Sequence, residues 1–121
     1  MNVVSIENVD HYHWGDQHDG WHLVKSDALS VIQERVPPGG REVRHLHVRS
    51  EQFFFVLSGR ATLEVAGELF QLDPNQGIHV PANTPHQLSN ETDQDLHFLV
   101  TSTPPSHGDR SLVAPTHTIA P

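Results

Sequence analysis

The chain has 121 residues, 36% of them hydrophobic and 18% charged, with 15 Asp and Glu against 7 Lys and Arg and a formal net charge of −8. That length suits one domain with a single core, and an acidic balance with scattered cations argues against nucleic acid, which needs a basic patch. There is no cysteine, hence no disulfide framework and no thiol chemistry, and no apolar run approaches the roughly 20 residues of a membrane span.

From the start, Met1 to Asp10 lacks the basic and apolar regions of a secretory leader, so a soluble, cytoplasmic protein is expected. Residues 1–28 read as an N-terminal arm and loop. His11-Tyr12-His13 there has no third metal ligand near it in sequence, and Trp14 and Trp21 read as core or interface anchors. Leu29 to Val36 is a β-rich run stopped by Pro37-Pro38-Gly39-Gly40. Its polar members Gln33, Glu34 and Arg35 include candidate catalytic residues. An inward Glu34 would favour proton transfer, and an inward Arg35 would favour an anionic substrate. Alternation alone does not choose between those faces, and a surface ion pair is as compatible with either residue.

His45 to Val48 reads as a short strand and Gln52 to Leu57 as a longer aromatic one. Ser58-Gly59-Arg60 turns the chain into Ala61 to Val65, and Ala66-Gly67 turns it again into Glu68 to Leu72, a hairpin by spacing. Gly77 to Val80, His86 to Ser89 and Leu96 to Thr101 complete the set, and His79 and His97 read as ordinary strand histidines. The Pro- and Ser-rich tail, Thr103 to Pro121, reads as draped on the surface or disordered. Many short strands at about 8–12-residue spacing, with no helix, predict a β-sandwich or barrel.

His45 and His47 lie two apart, which puts both imidazoles on one face of a strand. Neutral imidazole is the commonest ligand for first-row transition metals. The surroundings resemble the cupin family. Its first motif is Gly, five residues, His-x-His, three or four residues, an acid, six residues, Gly; Gly39, His45, His47 and Gly59 match it. In its second motif Pro81, His86 and Asn90 match, while Asn75 and Asn83 replace two glycines. Asn is the next-best residue at positive φ. At the acid position stands Gln52, with Glu51 one residue earlier. The register Gln52, Phe54, Val56 continues the inward face, so Gln52 is the favoured fourth ligand and Glu51 the alternative.

This resemblance, over roughly Leu29 to Ser102, implies an all-β fold, a single small jelly-roll β-barrel at 29–102. It implies one divalent first-row ion (Fe, Mn, Ni or Zn) held by His45, His47, His86 and Gln52 or Glu51, in a dry pocket lined by Phe54, Val56, Leu63 and Leu88. It further implies a small-molecule substrate, oxygenated or isomerised, and a homodimer paired through N-terminal strands. A non-catalytic small-molecule or metal-binding module is the alternative, because the fold hosts both.

Overall fold

The described residues of the computed structural model, 1–106 and 108–114, form eleven strands. These are β1 (His11–Trp14), β2 (His18–Lys25), β3 (Ser30–Val36), β4 (His45–His47), β5 (Glu51–Ser58), β6 (Ala61–Val65), β7 (Glu68–Leu72), β8 (Gly77–Val80), β9 (His86–Ser89), β10 (Leu96–Thr103) and β11 (Arg110–Leu112). They build a six-stranded sheet, β1-β2-β3-β10-β5-β8, and a five-stranded sheet, β11-β4-β9-β6-β7. All named pairings are antiparallel. The fold is therefore all-β and jelly-roll-like. The two sheets pack face to face without ladder hydrogen bonds closing them into the expected barrel, so β1, β8, β11 and β7 are edge strands.

Period-two alternation decides what lies between the sheets. On β5 Gln52, Phe54 and Val56 are buried while Glu51, Phe53 and Leu57 face out. On β10 Leu96, Phe98, Val100 and Ser102 are buried. The core joins these to Val36, Leu63, Val80 and Leu88. Each fully buried side chain of this size contributes about 1.5–3 kcal/mol. All four apolar positions expected to face inward, Phe54, Val56, Leu63 and Leu88, are among them.

Turns follow their residues. Ala66 and Gly67 both take positive φ, 51° and 92°, between the paired Val65 and Glu68, which makes the expected hairpin. Asn75 (φ 67°) and Asn83 (φ 59°) adopt the left-handed conformation that their glycine-like positions demand. Gly59 (φ 82°) allows no side chain, since a Cβ there would meet the Asp95 carbonyl oxygen at 2.5 Å.

Two readings of the chain ends change. Residues 11–25, read as an arm and loop, form β1 and β2 and extend the larger sheet through β3. Their His-, Gly- and Asp-rich composition carries little β-propensity, and pairing supplies the order instead. In the tail, Arg110–Leu112 pairs with β4 as β11. Asp109 fixes this return, its carboxylate accepting the backbone N–H groups of Val48, Arg49 and Ser50 at 3.2, 2.8 and 2.8 Å. The remainder of the tail, 115–121, lies outside the described residues. Among the described residues no helix is long and apolar enough to cross a membrane.

Candidate metal centre

The pairing of β4 with β9 is a single register pair, His45 opposite His86. His47, two residues on, points the same way, and the three rings converge with centroid separations of 4.5 Å (His45–His86), 4.8 Å (His45–His47) and 5.8 Å (His47–His86). All three are buried, and one nitrogen from each lies within 4.8 Å of the others.

Hydrogen bonds set two of the tautomers. His45 Nδ1 lies 2.7 Å from the Val43 carbonyl oxygen, and His86 Nδ1 lies 2.9 Å from that of Thr84. A carbonyl only accepts, so each Nδ1 carries the proton and each Nε2 keeps its lone pair. Such backbone anchoring is how metal-binding imidazoles are commonly oriented. Burial, foremost, pushes His45 down to about 3 and His47 down to about 4, and it lowers His86 as well. All three rings are therefore neutral at physiological pH and available as ligands.

Gln52 faces the same interior. Its Nε2 donates to Ser102 Oγ at 3.0 Å, which orients the amide and leaves Oε1 buried with no partner. His86 Nε2 is likewise buried and unpartnered, as is His47 Nδ1. Buried polar atoms almost always find a hydrogen-bond partner. Unpartnered buried atoms on His47, His86 and Gln52, beside three converging imidazoles, fit a cation. Glu51 is not among them: it is exposed on the opposite face of β5 and accepts from or pairs with His79 Nε2 at 2.8 Å.

A cavity of about 220 Å³ opens beside His45, His47 and Gln52. Glu34, from β3 of the other sheet, and Glu42, bonded to Leu88 of β9, also line it, with Tyr12, Trp14 and Arg110. Glu34 is thus the inward member of its strand. Arg35 points away and does not reach the cavity; its Nε donates to Asp19 at 2.6 Å, and its other nitrogens reach Asp95 and the Gln17 carbonyl. The candidate catalytic pair of the sequence reading is therefore split between the two faces of β3.

Glu42, Arg110, Tyr12 and Trp14 were not expected in the site. The period-two pattern of β1, polar His11 and His13 outward with Tyr12 and Trp14 inward, is a signal that pairing would have made readable. Glu42 lies in an irregular stretch before β4, where alternation gives no face. Arg110 depends on β11, which a Pro-rich tail does not announce. A second group, His11, His13 and Asp19, gathers on the outer face, so His11-Tyr12-His13 does have a third neighbour in space. Both oxygens of Asp19 are engaged there, Oδ1 with His11 at 2.7 Å and Oδ2 with Arg35.

Both cavity carboxyls hold their protons more tightly than ordinary carboxylates do. Burial first, then Glu42, holds Glu34 well above the usual carboxylate range. Burial raises Glu42 to about 7, even though its Oε1 accepts the Leu88 N–H at 2.9 Å. The folded state thus keeps a proton on Glu42 that the unfolded chain, at 4.5, has released. Stability from this group therefore falls as pH rises from about 4.5 to about 7. Urea unfolding of Glu42→Gln across that window is expected to show a flatter pH dependence than the parent; an unchanged slope would place the titration elsewhere.

A family model described as "Cupin domain" matches residues 32–102. An uncharacterized protein of Methanocaldococcus jannaschii is 30% identical over 92 residues, covering 75% of this chain and 74% of that one. The quercetin 2,3-dioxygenase of Bacillus subtilis is 39% identical over 56 residues, 46% of this chain but 17% of the enzyme. Among solved structures, the polyketide cyclase RemF from Streptomyces resistomycificus superposes with a TM-score of 0.81 at 20% identity, over 97% of this chain and 88% of that one.

Proposed function

The chain belongs to the cupin family, and from that membership and the chemistry of the cavity we propose that it is a metal-dependent enzyme acting on a small polar organic substrate. His45, His47, His86 and the Gln52 amide oxygen would hold one divalent first-row ion, Fe, Mn, Ni or Zn. The observation that carries this reading is the set of buried, unpartnered lone pairs on His86 and Gln52 beside two imidazoles of fixed or neutral form. In an ion that accepts five or six ligands, four protein donors would leave positions free for a substrate oxygen.

When bound, such an ion supplies Lewis acidity toward a substrate oxygen. The chain's own residues do the rest. Phe54 and Val100 keep the wall beside the imidazoles apolar, and Tyr12 and Trp14 cover it from β1. Glu34 and Glu42, two carboxyls of the same cavity whose surroundings favour the protonated form, hold and return a proton there. That pairing favours isomerisation by proton transfer. Oxygenation is the second reading, favoured by the segment shared with quercetin 2,3-dioxygenase. The cytoplasmic location and the homodimer belong to the same proposal.

Elemental analysis of untagged protein tests the reading: about one equivalent of a first-row metal is expected. No metal, and none taken up on reconstitution, would leave a non-catalytic binding module. Gln52→Ala is expected to weaken metal binding by about tenfold or more, and Glu51→Ala to leave it nearly unchanged. The reverse ranking would transfer the ligand role to Glu51.

A further inference from the structure

A second cavity, of about 420 Å³, adjoins the first and shares Tyr12, Ile32 and Ser106 with it. We propose that this extension is a subsite for the anionic end, carboxylate or phosphate, of an elongated substrate, with Lys25 and His22 as the binding residues. The inference rests on the metal reading for the other end of that substrate.

Strand register brings the two side chains together. On β3, Glu34, Ile32 and Ser30 point inward in turn, so the inner face runs from the metal cavity through the shared wall to the second cavity. On β2, His22 pairs with Ile32 and Lys25 with Ser30, across a register shift between His22 and Val24. An unshifted strand would send residues three apart to opposite faces. The extra residue of the bulge puts His22 and Lys25 on the same inward face, and bulges commonly re-aim side chains in this way.

Both groups have unused capacity for an anion. Lys25 is the sole lysine of the chain and takes part in none of the ion pairs among the described residues. His22 packs against Tyr12, with the rings tilted and their centroids 4.9 Å apart, and its Nδ1 is buried without a partner. Lys25 and His22 line the same cavity. The Ser30 side chain adds a hydroxyl to the same wall. From Glu34 to Ser30 is four residues of strand, roughly 13 Å, so the substrate that spans both ends is a long one.

The test uses full-length, metal-loaded protein grown with isotope-labelled lysine, whose single lysine gives a single side-chain NMR signal. Straight-chain dicarboxylates from succinate to sebacate are titrated beside monocarboxylates of equal length, together with ω-phosphonocarboxylates. The longer dicarboxylates or phosphonocarboxylates are expected to shift the lysine signal saturably while the monocarboxylates do not. The tighter of the two series identifies the end group. Lys25→Gln should weaken that binding about threefold to tenfold with metal content unchanged. A lysine signal indifferent to every probe, or affinity independent of both chain length and Lys25, overturns the subsite while leaving the metal reading intact. If the parent protein binds no metal, that reading falls instead. Inorganic phosphate alone then decides the subsite, by moving the lysine signal or failing to.

Discussion

His86→Ala is expected to reduce bound metal from about one equivalent to none under conditions that load the parent, with affinity lowered more than about 100-fold. The side chain has two functions, and only one is replaceable. Its Nδ1–H satisfies the Thr84 carbonyl, whose loss of a partner costs about 1–3 kcal/mol. Its Nε2 is one of the buried lone pairs around the proposed ion, and nothing else among the described residues stands in that place. His86 is fully buried and its ring lies 5.8 Å from that of Phe54, so some stability is lost, but Val36, Leu63, Leu88 and Phe98 remain to hold the fold. The strand-rich circular dichroism spectrum should therefore remain while metal disappears. His47→Ala should behave alike. Stoichiometric metal retained in both variants would remove the proposed cage.

The largest effect on stability is expected at Arg44. Immediately before His45, its guanidinium donates to both oxygens of Glu64 at 2.6 and 3.0 Å and to the Ala114 carbonyl at 2.8 Å. Glu64 also accepts the Gly67 N–H at 2.6 Å, and both side chains are more than nine-tenths buried. Removing one partner strands the other: Arg44→Met should cost about 3–5 kcal/mol. For a domain of this size that corresponds to a fall in Tm on the order of 10–20 °C. Arg44→Met with Glu64→Leu should recover most of the loss, since two matched apolar groups avoid the desolvation of both charges. A double variant as unstable as the single one would show that packing rather than charge pairing sets the cost. Because Arg44 adjoins His45 and Glu64 adjoins Val65, which pairs with His86, the single variant should also weaken metal binding. The Arg44 hydrogen bond holds Glu64 below the usual carboxylate range, so this stabilisation is present at neutral pH and is lost as pH falls below that range.

Much of the site was legible along the chain. His45 and His47 share a face because strand side chains repeat every two residues. The same rule chose Gln52 over Glu51, and the structure places Gln52 in the interior and Glu51 against His79 in solvent. Asn75 and Asn83 could be read as glycine substitutes, and both have positive φ. The first two inferences are local and need only strand geometry, while the Asn positions came from the spacing of the motif that the chain resembles.

Other features required the assembled sheets. Glu34 and Arg35 are adjacent, and a strand read alone has two faces with no label. The pairing of β3 with β2 and β10 turned Glu34 inward and sent Arg35 to Asp19. Glu42 joins the cavity from an irregular segment, Arg110 arrives on an edge strand from the tail, and Tyr12 and Trp14 come from a segment of weak β-propensity. Periodicity and turn chemistry therefore determined the all-β class, the His-x-His face and the Gln52 register, because those follow from short-range backbone geometry, while the jelly roll came from the motif resemblance. The tertiary structure alone decided which acids face the metal cavity and which segments cover it, because those depend on long-range pairing that no stretch of sequence encodes by itself.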